Sequence, residues 1–119
     1  RAGTDPRAGG VRVDSVEGQL RLVHIQRFLR RVGATRGILF GSRARGDYVA
    51  SSDVDLIVIS DRFADVSFPR RMVFLHENWD LPLYLEGLPY TEEEFARLKQ
   101  TSGVVQDAMK HGVEIWPDV

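Results

Sequence analysis

Two aspartates, Asp53 and Asp55, stand one residue apart just before the apolar run Leu56-Ile57-Val58-Ile59. Residues i and i+2 of a strand point to the same face, so this spacing predicts two carboxylates side by side where a strand begins. Like charges held that close repel and raise each other's proton affinity unless a cation intervenes. Oxygen-only ligands suit Mg²⁺ or Mn²⁺. The β-branched residues that follow supply a stiff support. An Asp-x-Asp pair also occurs as plain decoration of the loop before a strand, and the pair by itself does not choose between these uses.

A second candidate lies just upstream. Gly41-Ser42 follows the apolar Ile38-Leu39-Phe40 directly. Glycine lets the backbone turn tightly and approach an anion closely. Ser42 adds a hydroxyl and an amide, and the turn that follows presents further amide donors to a phosphate. This cradle differs from the Walker loop, whose Gly-x-x-x-x-Gly-Lys-Ser/Thr pattern is absent. Arg43 and Arg45 flank the cradle and are suited to neutralising triphosphate charge, or else to decorating a solvated turn. Tyr48 and Trp79 offer faces on which a base can stack, with ordinary packing the simpler use of each. His24 has no second His or Cys at metal-ligand spacing and reads as a helix residue.

The elements that must position these residues are legible from periodicity. Leu22, Ile25, Leu29 and Val32 recur at helical spacing within a helix predicted from Ser15 to Val32, with Gly33 as its C-terminal cap. Residues 36–40 read as a short buried strand, Arg43-Ala44-Arg45 as one helical turn before Gly46, and residues 54–59 as the clearest strand of the chain. Phe68 to Trp79 reads as a helix with Pro69 in its first turn. Residues 81–88 read as extended, because Pro82 forbids a helix interior. Thr91-Glu92-Glu93-Glu94 is a capping box opening a helix to about Gln100. A last helix is expected from about Ser102 to Lys110, then a short strand at Val113-Glu114-Ile115. The order predicts a small α/β (α+β) domain, a mixed sheet flanked by helices.

Composition agrees with one folded unit. The chain has 119 residues, 43% of them hydrophobic, enough for a single core. Residues 1–14 lack an apolar period and read as a flexible N-terminal segment or a remnant of expression, leaving 15–119 as the single domain. There is no cysteine, hence no thiol nucleophile or Cys-bound zinc, and the simplest expected compartment is cytoplasmic. Apolar runs of four residues exclude a membrane span. A net charge of −1 argues against coating a polyanion, so no extended nucleic-acid binding is expected. The first sixty residues carry +4 and the remainder −5, as unlike partners near the two halves, or chance, would produce.

Taken together, Gly41-Ser42, ten intervening residues and Asp53-Val54-Asp55 resemble the Gly-Ser-x10-Asp-x-Asp signature of the polymerase-β-like nucleotidyltransferase superfamily. The form Gly-Ser-Arg-Ala-Arg-Gly-Asp and the small size resemble its minimal nucleotidyltransferase branch, of the antitoxin type, over residues 15–119. The resemblance implies the nucleotidyltransferase fold and a third carboxylate on a neighbouring strand. Glu86, a few positions before Tyr90-Thr91-x-x-Glu94-Phe95, falls in that slot, where the usual residue is Asp. Asp80 competes for the place but is expected to begin the strand or bond locally. The resemblance further implies Asp53, Asp55 and Glu86 as catalytic and metal-binding residues. Gly41, Ser42, Arg43 and Arg45 then become the nucleotide-binding residues. It implies Mg²⁺ (or Mn²⁺) as cofactor and a nucleoside triphosphate, ATP, as donor of a nucleoside monophosphate to a hydroxyl. A helical HEPN-type protein is the implied partner, the chain acting as antitoxin of a toxin–antitoxin pair. The alternatives are a catalytically silent module that masks a partner by contact, a stand-alone transferase acting on a small molecule, and a nucleic-acid polymerase. The lack of a thumb-like domain and of a broad basic tract counts against the last.

Overall fold

A computed structural model describes residues 22–49 and 51–117. The elements follow in the order α1 (Leu22–Arg31), β1 (Arg36–Phe40), α2 (Ser42–Arg45), β2 (Val54–Ile59), a 3-10 turn at Asp61–Phe63, α3 (Phe68–Asn78), β3 (Leu85–Tyr90), α4 (Glu92–Thr101), α5 (Gly103–His111) and β4 (Val113–Ile115). The predicted start of the first helix at Ser15, and the segment 1–14, lie outside the described residues.

The four strands form one mixed sheet in the order β3-β2-β1-β4. β1 pairs antiparallel with β2 and with β4, whereas β2 and β3 run parallel through the α3 crossover. Alternation along β2 sorts its side chains onto two faces. Val54, Leu56 and Val58 join Ile25, Phe28 and Leu29 of α1 and Leu75 of α3 in one buried cluster. Ile57 and Ile59 join Phe95 of α4 and Val105 and Ala108 of α5 in the other. Both faces are thus helix-covered, which is why the run at 56–59 is continuously apolar instead of alternating. Among the described residues, no helix is long and apolar enough to cross a membrane.

Two local expectations are met by their own chemistry, and a third cap is added by the structure. Gly33 takes φ 71° after α1, with its amide on the Arg30 carbonyl. Thr91 and Glu94 form the reciprocal capping box of α4. Ser102 caps α5 by accepting the Val105 amide.

One boundary differs. The expected extended stretch at 81–88 becomes a strand at Leu85–Tyr90, with residues 81–83 bent. A parallel strand lasts only as long as its partner. The Val54 amide donates to the Tyr84 carbonyl as a first rung, and the register then runs from Val54 opposite Leu85 to Ile59 opposite Tyr90. Leu83 is buried without joining the ladder, its carbonyl accepting from Trp79 Nε1 at 2.7 Å. Pro89 is tolerated because β3 is an edge strand.

Candidate active site

Asp55 is the second residue of β2 and lies on the face that carries Ile57 and Ile59. Helices α4 and α5 cover those two isoleucines further along the strand. In register, Asp55 stands opposite Phe40 of β1 on one side and Glu86 of β3 on the other. Paired residues of neighbouring strands point to the same face, so the two carboxyl groups are neighbours across a strand spacing of about 4.8 Å. Asp53 precedes the strand and is exposed, Asp55 is half-buried and Glu86 is exposed.

The electrostatics record this convergence. The Asp55 carboxyl is pushed above the usual aspartate range, first by burial and then by the negative charges of Glu86 and Asp53, while Arg45 opposes the shift. The other two acids predicted from the sequence therefore both act on Asp55. Asp80 is elsewhere: it neither begins a strand nor reaches the site, and its carboxylate accepts from Arg31 Nη2 at 3.1 Å on the surface.

Gly41 is positioned against the same aspartate. It takes φ 74° and ψ −156°, a backbone conformation open essentially to glycine alone. A Cβ built on it would overlap Asp55 Oδ2. Glycine is required here twice, by the turn from β1 into α2 and by the approach of Asp55. The amides of Ala44 and Arg45 bond back to the Gly41 carbonyl, which makes Ser42–Arg45 a single closed turn.

The two arginines of that turn part company. Arg45 is exposed, 3.3 Å from Asp47, and its charge is felt at Asp55. Arg43 turns inward and is only 7% exposed. Its Nε and Nη2 donate to the Ser52 carbonyl at 3.3 and 3.0 Å, and its guanidinium lies 4.5 Å from the centre of the Tyr48 ring. Tyr48 thus stacks on Arg43. Trp79 packs edge-on against Phe28 in the core, at 5.0 Å between ring centres. The Arg43–Ser52–Tyr48 arrangement had no sequence signal, because its partners lie five and nine residues apart in irregular backbone.

Oxygen-only carboxylates that repel one another and are stacked at a strand start fit a hard divalent cation, which would relieve the repulsion. Among the described residues, no group of three or more His, Cys, Asp or Glu is already drawn together as a ligand cage.

A mixed sheet with helices on both faces, a glycine turn after its first strand and paired acids at the start of the second define the nucleotidyltransferase class of α/β domain. The family model of the nucleotidyltransferase domain matches residues 23–116, so the chain belongs to that family. Among solved structures, the chain is similar to a Sulfolobus solfataricus protein whose name carries a provisional nucleotidyltransferase assignment. Identity is 22% over 81% of this chain and 79% of that one, with a TM-score of 0.55, a likeness of fold. No curated protein matches the chain.

Proposed function

We propose that the protein transfers a nucleoside monophosphate, AMP from ATP, to a hydroxyl acceptor on a helical HEPN-type partner, as the antitoxin of a toxin–antitoxin pair. The observation that carries the catalytic part is the register of Asp55 opposite Glu86, with Asp53 adding its charge and Gly41 closing over Asp55. Family membership supports nucleotidyl transfer in general. The partner and the antitoxin role rest on the resemblance of the Gly-Ser-Arg-Ala-Arg-Gly-Asp segment to minimal nucleotidyltransferases.

In this reading Asp53 and Asp55 hold Mg²⁺ or Mn²⁺, with Glu86 completing the set. When bound there, such an ion would supply Lewis-acid neutralisation of the charge that develops at the transferring phosphorus. The turn at Gly41-Ser42 seats the phosphates, and Arg45 faces the site with the charge to meet them. Alternatively Glu86, which is exposed, would accept the proton of an incoming hydroxyl instead of completing the metal set.

The test is transfer of label from α-labelled ATP to candidate helical partners. Wild type should label the partner only with metal present. Asp53→Asn, Asp55→Asn and Glu86→Gln should each lose labelling while still binding the partner, and Glu86→Asp should keep it. A wild-type protein that binds the partner tightly yet transfers nothing would establish the silent masking module instead. Labelling of a small hydroxyl compound without any partner would establish the stand-alone transferase.

A further inference from the structure

We propose that Arg43 is a positioning residue for Asp53, clamping the Ser52–Asp53 peptide through a guanidinium that Tyr48 holds flat. This rests on the reading above only in taking Asp53 as a site carboxylate. Two of its donated hydrogen bonds converge on one carbonyl, that of Ser52, at 3.3 and 3.0 Å. That carbonyl shares a rigid plane with the Asp53 amide, so fixing one fixes the other. On the far side of Asp53, the Val54 amide is fixed by the Tyr84 carbonyl at 2.9 Å. The turn leading in is closed by two further bonds of 2.9 Å, from the Val49 amide to Ser52 Oγ and from the Ser52 amide to the Val49 carbonyl. Asp53 is therefore held between two anchored peptides although it belongs to no strand.

It needs that restraint more than Asp55 does. Asp55 is fixed by strand pairing on both sides, whereas Asp53 is exposed, irregular and repelled by Asp55. Arg43 sits in the same short turn as Gly41 and Ser42, so its reach to Ser52 ties the two ends of the ten-residue spacer together. Arginine suits the task because its planar fork can grip a carbonyl while its face stacks on a ring. Lysine, a point charge, lacks the planar fork and cannot give two donors to one carbonyl while lying flat on the ring. The cation that remains presented to the phosphates is Arg45, not Arg43.

The experiment compares wild type with Arg43→Lys, Arg43→Gln, Tyr48→Phe and Tyr48→Ala. It measures hydrogen exchange at the Asp53 and Val54 amides, Mn²⁺ affinity by electron paramagnetic resonance, and ATP affinity in chelator. Both Arg43 variants should exchange faster at these two amides while the amides of 57–59 stay protected. Their Mn²⁺ affinity should fall about tenfold, the scale of losing a residue that orients a metal ligand. ATP affinity in chelator should not change. Tyr48→Phe should match wild type, and Tyr48→Ala should shift in the direction of Arg43→Gln by a smaller factor. Arg43→Lys behaving as wild type would overturn the proposal, because charge alone would then suffice. Weaker metal-free ATP binding with unchanged exchange at Asp53 would overturn it in favour of a phosphate ligand. If wild type binds no Mn²⁺, the transfer reading falls by itself, and the exchange arm still decides whether Arg43 orders the segment. Tyr48→Ala keeps the question answerable should the Arg43 variants fail to fold.

Discussion

The two ends of β3 treat carboxylates in opposite ways. At its start, Glu86 faces Asp55, and the Asp55 carboxyl is raised by burial and by like charges. Beyond its end, Glu94 caps α4 and receives both Nη atoms of Arg71, at 2.7 and 3.1 Å. Arg71 is buried, donating also to the carbonyls of Val66 and Pro89. The Arg71 hydrogen bond, helped by Thr91 and against the cost of burial, lowers the Glu94 pKa to about 2. β3 thus starts beside acids that have no ion pair among the described residues and leads into a helix whose capping acid is fully paired. The paired end holds α3, β3 and α4 together. The unpaired end stores repulsion that a bound cation can relieve, and structural economy alone gives no reason to keep it.

This contrast can be broken most severely at Gly41. Gly41→Ala forces a side chain into a glycine-only conformation and against Asp55 Oδ2. The backbone strain should cost about 2 kcal/mol in denaturant unfolding. Displacement of the aspartate should lower transfer by on the order of 10²-fold. Unchanged stability together with unchanged activity would mean that the turn does not hold Asp55.

At the paired end, Arg71→Met leaves Glu94 without its guanidinium and two backbone carbonyls without their donor. Breaking such a pair should cost roughly 3 kcal/mol, which urea titration would measure. Metal binding at the other end of the strand should persist in the variant. If Arg71→Met abolishes metal binding while folded, the two ends are not the independent regions described above.

A finer test is the sign of the pH dependence. Glu94 is lowered in the folded state, so its stabilisation is fully present above the usual value of 4.5 and is lost as pH falls toward about 2. Asp55 is raised, so the folded state binds its proton more tightly than the unfolded state does. Stability from that group is fully present below the usual 3.8 and is lost as pH rises through the raised value. Without metal, Asp55→Asn should therefore be more stable than wild type at neutral pH, and the difference should vanish below 3.8. Glu94→Gln should be less stable at neutral pH, with its deficit shrinking as pH falls from 4.5. Thermal unfolding across pH 2–8 reads both, and equal signs would refute the contrast.

The smallest effect is expected at Asp80. Its contact with Arg31 is exposed on both sides, so Asp80→Asn should change stability by less than about 0.5 kcal/mol. Transfer should be unaffected. A large loss of transfer would place Asp80, and not Glu86, in the acid cluster.

Much of this was determined by the sequence alone. Local rules suffice for the strand at 54–59, the capping box at Thr91 and the glycine turn at Gly41, because each depends on residues a few positions apart. Strand period anticipated the nearness of Asp53 to Asp55, although Asp53 itself lies just outside β2. Tertiary structure decided what depends on register and on long reach. That β3 begins at Leu85 and not Leu81 was set by where β2 begins, since a parallel strand can pair only with a strand already there. That Glu86 and not Asp80 stands beside Asp55 is the same register read across the sheet. Arg71 looks like any helix-surface arginine in the sequence and is buried only because α4 returns Glu94 to it across 23 residues. Arg43 and Arg45 are alike in one dimension. Only the folded loop, by bringing the Ser52 carbonyl and the Tyr48 ring to one of them, makes the first a clamp and leaves the second exposed beside Asp47.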